Sequence, residues 1–363
     1  MFAGAPEPII AADVIVVGSG LIGLSAAIAV AERGVSVSLI ASSRPGEASR
    51  AAAGMLAPSV ERAAGRAHDF ALASRDRYPS YVEFLQERTG ITVPLNRLGV
   101  LQVAISEKGV RGLRKGALAT SVWLTADELR GVEPALPHAL GAVLNPDDGA
   151  VDNTVLLEAM VRLVSSNERI EQISGDVIDV KADHRSCIVR TKAGATHTAR
   201  YVVVAAGAWA KEIFGVTHAR FVEPARGQLV SYPDTPVRHV AYGPRGYIVP
   251  RAHETIGGTT MENVGYDART TPDGILRVRA AAEEICPLLR SASPVRAWAG
   301  LRPVTPDLLP ILGPHPDNDS LIYACGHSRN GVLMAPLTGD IIADLVTATP
   351  LSHDLSQFRP GRF

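Results

Sequence analysis

Apolar residues run along this chain in two rhythms. Strand-length apolar stretches occur at 13–17, 35–40, 201–206 and 321–325, and the run 201–206 is apolar throughout. Such runs belong to parallel strands buried on both faces. Apolar residues at three- and four-residue intervals predict helices over 21–33, 68–89, 152–165, 272–289 and 336–346. Thr125, with Glu128 three residues on, forms a capping box that opens another over 125–132. Strand patterns recur at 99–105, 141–144, 227–232, 246–250 and 255–260. The buried-strand type therefore appears, gives way to other patterns and returns. This predicts two interleaved α/β domains, one from 1–60, 150–220 and 298–363, the other from 61–149 and 221–297.

The junction between the first strand and first helix carries the chemistry. Residues 17–24 read Val-Gly-Ser-Gly-Leu-Ile-Gly-Leu, placing Gly18, Gly20 and Gly23 in a G-x-G-x-x-G spacing. Gly18 permits the tight turn, Gly20 lets a pyrophosphate approach the backbone, and Gly23 lets the helix lie close to the strand. The N-terminus of the helix that follows offers backbone N–H groups and a positive dipole end to phosphate. The motif sits between two strands and opens a helix, the context that identifies a dinucleotide site.

Length and charge narrow the classes. The 363 residues suffice for two domains, and 36 basic against 37 acidic residues leave a net charge of −1. That balance makes no electrostatic case for nucleic acid or an acidic membrane surface. No apolar run reaches the 18 or so residues of a membrane span. Residues 1–12 lack a basic region and are too short for a secretory signal. Cys187, Cys286 and Cys325 are too dispersed for a disulfide framework, and the 10 His show no metal-ligand spacing. A cytoplasmic protein with reduced thiols and no metal is expected.

A dinucleotide unit usually carries an acid at the end of its second strand, bonded to ribose. Here Ile40 is followed by Ala41, Ser42, Ser43 and Arg44. Either Ser42 or Ser43 takes over the ribose contact, or Arg44 meets the 2′-phosphate of NADP.

Five segments carry a fuller resemblance: the Gly18–Gly23 turn, Ala51-Ala-Ala-Gly-Met-Leu56, Tyr247-Ile-Val-Pro-Arg251, Trp298-Ala-Gly-Leu-Arg-Pro303 and Gly326-His-Ser-Arg-Asn-Gly331. Over nearly its whole length the chain resembles the D-amino-acid oxidase superfamily of flavoenzymes, and within it the bacterial glycine oxidase branch linked to thiazole synthesis for thiamine. The resemblance implies an FAD-binding Rossmann-like domain of glutathione-reductase type, interleaved with a mixed-sheet substrate domain, and a homo-oligomer. It implies noncovalent FAD, since the 298–305 segment lacks the Cys by which a related sarcosine oxidase branch links its flavin. Cofactor contacts are implied at Gly18, Gly20, Leu21, Ile22, Gly23, Ser42, Ser43, Ala52, Ala53, Gly54, Met55, Val177, Ala206, Gly207, Trp209, Arg302, Arg329, Asn330, Gly331 and Val332. Ala41 departs from the pattern, because such enzymes generally have an acid there.

An amino-acid oxidase must hold a carboxylate, and a bidentate Arg suits that task. Arg302 is the first candidate, with small Ala299 and Gly300 beside it; pairing with Asp307 is its structural alternative. Tyr247 can donate to the same carboxylate. Arg329 is a second polar contact by resemblance, and Met55 and Met261 resemble apolar walls of a small substrate pocket. Arg251 reads as a surface charge. His327 is expected to be structural or a flavin contact, because hydride transfer from a neutral amine needs no side-chain base.

The expected reaction is oxidative deamination of a small amino acid, glycine first, with sarcosine or small D-amino acids also admitted. Hydride passes to flavin N5, and O₂ is the expected acceptor, giving oxo acid, ammonia and H₂O₂. The alternatives are an FAD-dependent dehydrogenase of proline or another amino acid using a different acceptor, a tRNA-modifying flavin domain, and an NADP-linked reductase.

Overall fold

A computed structural model describes residues 12–61, 65–183, 186–233 and 237–363. The chain folds as two units. One takes the chain through Arg44, then Met160–Glu223 and Pro303–Phe363; the other takes Pro45–Ala159 and Pro224–Arg302.

The first unit is built on a sheet whose parallel core runs Ile170–Ser174, Val37–Ala41, Ala12–Val17, Thr196–Val204 and Asn318–Cys325. Thr196–Val204 is long enough to serve three neighbours. It pairs with Ala12–Val17 along one side and, on the other, with Cys187–Thr191 near its start and Asn318–Cys325 near its end. The apolar runs of these strands are buried, from Val14 to Val17 and Val202 to Val204. Helix Leu21–Glu32 follows the first strand and lies against the last helix, Gly331–Val346.

The second unit holds an eight-stranded mixed sheet: Arg296–Val304, Glu223–Pro233, Glu254–Gly258, Tyr247–Pro250, Val240–Tyr242, Val100–Ala104, Gly141–Asn145 and Val122–Thr125, in that order. Helix Pro272–Ile285 buries Val278, Ala282 and Ile285 in a core with Val230, Tyr232 and Ile248. The capping box forms: Thr125 Oγ1 accepts from Glu128 N at 3.4 Å, and Thr125 N donates to Glu128 Oε2 at 2.8 Å.

Proline redraws two expected helices. The 68–89 segment is two helices, Arg66–Asp76 and Tyr78–Thr89, the second with Pro79 in its first turn. The 272–289 helix ends at Ile285, because Cys286, ahead of Pro287, takes φ −130° and ψ 96°; a residue before proline avoids the helical region. The last helix begins at Gly331 and not at Pro336, which lies inside it.

The unit boundaries also differ from the expected domain limits. Segments 45–60, 150–159 and 298–302 cluster with the second unit. Met55–Leu56 and Leu95–Asn96 flank Gly149–Val151 in a small antiparallel sheet, and Leu301 N donates to Gly46 O at 2.8 Å. These backbone bonds tie the small-residue segment to the second unit. Residues 1–11 of the expected first domain lie outside the described residues.

Candidate active site

In the first unit the glycine turn is tight. Gly18 has φ +106°, and a Cβ there would lie 2.5 Å from Ala205 O. A Cβ on Gly23 would lie 1.8 Å from Gly18 O, so only glycine lets the helix start this close to the strand. Gly20 is the N-cap of Leu21–Glu32 in extended conformation, with no side-chain cap and no acid in the first turn. Leu21 and Ile22 open this helix, and its positive dipole end carries no acid in the first turn.

Ala206, Gly207 and Trp209 follow the strand Thr196–Val204 directly. Ser42 Oγ donates to Asp176 Oδ1 at 3.2 Å, next to Val177; Arg44 pairs with the same oxygen and lies 5.4 Å from the Trp209 ring centroid. Ser43 is exposed. Arg44 is therefore engaged by a carboxylate, which removes the support for a 2′-phosphate and for the NADP alternative.

The segment before the last helix is a tight turn. Gly326 has φ +71° and Ser328 φ +50°, and Ser328 N donates to Pro303 O at 2.9 Å. Arg329 is exposed, Asn330 caps the helix without a side-chain bond, and Gly331 and Val332 open it. His327 is buried, its Nε2 3.2 Å from Thr338 Oγ1, and burial pushes its pKa down to about 3. The ring is neutral at any working pH. His327→Gln is expected to leave the pH profile of kcat unmoved; a lost or shifted limb would make His327 a titrating participant.

The second unit contains Arg302, Tyr247, Met55 and Met261, together with Ala52, Ala53 and Gly54. Arg302 donates through NH2 to Thr259 Oγ1 at 2.8 Å and through NH1 to the Thr260 carbonyl at 3.2 Å. It meets no carboxylate among the described residues. Asp307, its suspected structural partner, binds Arg362 instead, at 2.8 and 3.0 Å. Gly227 makes the space, since a Cβ there would lie 2.0 Å from Arg302 NH1.

Tyr247, 7% exposed, places its phenol within bonding reach of Thr259 and Arg302. Burial raises the phenol above its ordinary value, against the pull of Arg302, so it stays a neutral donor. The Tyr242 ring lies 5.6 Å from it, and the Tyr242 hydroxyl is 2.9 Å from both Met55 Sδ and Glu61 Oε1. Trp298 Nε1 donates to Ala51 O at 3.0 Å, joining the 298–303 and 51–56 segments.

Met261 is 60% exposed and follows the strand Glu254–Gly258 on a segment without regular structure. Arg251 is no surface charge. Its side chain is 8% exposed, 3.3 Å from Asp152 Oδ1 and bonded to Asn153 and Thr154. Thr259, Thr260, Tyr242, Glu61 and Gly227 escaped the sequence reading. Only Gly227 carried a signal, as a glycine inside a strand pattern, which marks close approach by another group.

This chain belongs to the DAO family of FAD dependent oxidoreductases, which matches residues 13–345. The glycine oxidase of Geobacillus kaustophilus is 34% identical over 95% of this chain and 96% of its own length. The crystal structure of that species' glycine oxidase superposes with a TM-score of 0.88, at 31% identity, covering 97% of this chain and 99% of the other. A bifunctional protein ThiO/ThiG of Synechocystis is 34% identical over 97% of this chain, which spans about half, 54%, of that longer relative. Among the described residues no helix is long and apolar enough to cross a membrane, and no group of three or more His, Cys, Asp or Glu is placed to hold a metal.

Proposed function

We propose that this protein oxidatively deaminates a small amino acid, glycine first, with sarcosine and small D-amino acids as further substrates. The observation that carries the reading is a guanidinium without a carboxylate partner among the described residues, Arg302, set beside a neutral buried phenol, Tyr247. That pair suits one carboxylate, the group that every α-amino acid offers. Glycine oxidases among the relatives support the choice of substrate.

Bound FAD supplies the two-electron acceptor at N5, and the protein supplies position and electrostatics. The Gly18–Gly23 turn and the start of helix Leu21–Glu32 hold the pyrophosphate through backbone N–H groups. The FAD is noncovalent in this reading, because no Cys lies in 298–305 and the three thiols are buried elsewhere.

Arg302 is held in plane by Thr259 and Thr260 and presents its remaining N–H groups to the substrate carboxylate. Tyr247 donates a further bond to that carboxylate. Met55 is one apolar wall in this reading. Fixing the carboxylate fixes the α-carbon, which is where orientation lowers the barrier. O₂ reoxidises the cofactor in this reading, with H₂O₂ as product.

Tyr247→Phe is expected to raise KM for glycine roughly 10- to 150-fold, one hydrogen bond to a charged group being worth about 1.5–3 kcal/mol. Steady-state rates with peroxide detection measure it, and an unchanged KM would remove Tyr247 from the carboxylate. The proposal itself is tested by an amine panel under air and under nitrogen. Glycine should bleach the flavin without oxygen and yield peroxide with it. Bleaching by proline alone, without peroxide under air, would select the dehydrogenase alternative.

A further inference from the structure

The second strand of this dinucleotide unit ends in Ala41, whose methyl group cannot accept a hydrogen bond from ribose. In such units the acid at that point receives the ribose 2′-hydroxyl. We propose that Asp176 supplies this carboxylate here, from the neighbouring strand connection, and so binds the adenosine ribose of FAD.

Backbone pairing puts Asp176 at the right edge of the sheet. Strand Ile170–Ser174 runs parallel to Val37–Ala41, with Ser174 opposite Ala41. The chain then turns at Gly175, whose N–H donates to Ala41 O at 3.0 Å. Asp176 follows at once, its own carbonyl accepting from Lys192 N at 2.7 Å. Asp176 therefore stands at the C-terminal edge of the sheet, two residues past the one that pairs with Ala41. Ligands of open α/β sheets bind at that edge.

The side chain is also oriented for the task. Ser42 Oγ donates to Oδ1 at 3.2 Å, and Arg44 pairs with that same oxygen. Oδ2 has no partner among the described residues. One oxygen is thus anchored by two donors and the other is open to hydroxyl donors at a side chain 32% exposed. Arg44 spans from Asp176 to the Trp209 ring, so its charge is already matched by the carboxylate. A hydroxyl-bearing ribose fits this arrangement, and a 2′-phosphate would meet the Asp176 charge.

The full chain, stripped of flavin, is titrated with FAD and with the FAD analogue carrying 2′-deoxyadenosine, following flavin fluorescence. Wild-type protein should prefer FAD roughly tenfold, the range of one charge-assisted hydrogen bond at a partly exposed site. Asp176→Asn should weaken FAD by a similar factor and reduce the preference to near one. Ala41→Glu added to Asp176→Ala should restore the preference by returning the acid to the second strand. A wild-type protein that binds both flavins equally would overturn the assignment without any variant. So would an Asp176→Asn protein that keeps the preference. Failure of the wild-type chain to bind FAD at all would be a separate result, directed at the cofactor itself.

Discussion

Arg302→Lys is expected to lower kcat/KM for glycine by roughly 30-fold to several thousand-fold, the range set by breaking a buried charged pair at about 2–5 kcal/mol. Lysine keeps the charge, so the loss isolates the planar fork. The guanidinium spends one N–H on Thr259 Oγ1 at 2.8 Å and one on the Thr260 carbonyl at 3.2 Å, and it lies flat where Gly227 leaves no Cβ. An ammonium can reach those acceptors or the substrate, but it cannot serve both with fixed geometry. The variant should retain its flavin, and inhibition by acetate or glycolate should weaken by a similar factor, since the guanidinium is the charged anchor of these carboxylates and the Tyr247 phenol adds one neutral bond. Peroxide-coupled rates and the flavin absorbance ratio give both readouts. If Arg302→Lys turns over glycine within about threefold of wild type, Arg302 is structural and the substrate assignment fails with it.

Gly23→Ala is expected to weaken FAD on the order of a hundredfold, the upper end of the 1–3 kcal/mol that overpacking costs. The added methyl would stand 1.8 Å from Gly18 O and 2.9 Å from Gly18 C. Both are backbone atoms of the turn itself, so no rotamer change relieves the clash. Helix Leu21–Glu32 must lift or the Gly18 peptide must rotate, and either displaces the N–H groups offered to the pyrophosphate. The purified variant should be pale, with a lowered Tm that excess FAD raises less than in wild type. A yellow Gly23→Ala protein with one flavin per chain would show that the turn does not hold the cofactor.

The local chemistry of this turn was readable from residues 13–40 alone. Strand, glycines and helix are contiguous there, and steric rules act between near neighbours. The buried parallel strands were readable for the same reason, since an apolar run such as 201–206 has no stable place except a covered sheet. The capping box at Thr125 and Glu128 is likewise a three-residue matter.

Long-range pairing decided the rest. Arg302 meets no carboxylate among the described residues, and Asp307 pairs with Arg362, 55 residues away. Arg251 changes from a surface charge to a buried ion pair because strand Tyr247–Pro250 delivers it to Asp152 and Asn153. Glu61 and Tyr242 meet across 181 residues, and neither has a local pattern that announces the other. The missing acid at Ala41 shows the division most directly. Sequence alone determined that the second strand ends without a carboxylate. Only the parallel register of Ala41 against Ser174 brings Asp176 to that edge, because strand neighbours are chosen by sheet hydrogen bonding and core burial, not by distance along the chain.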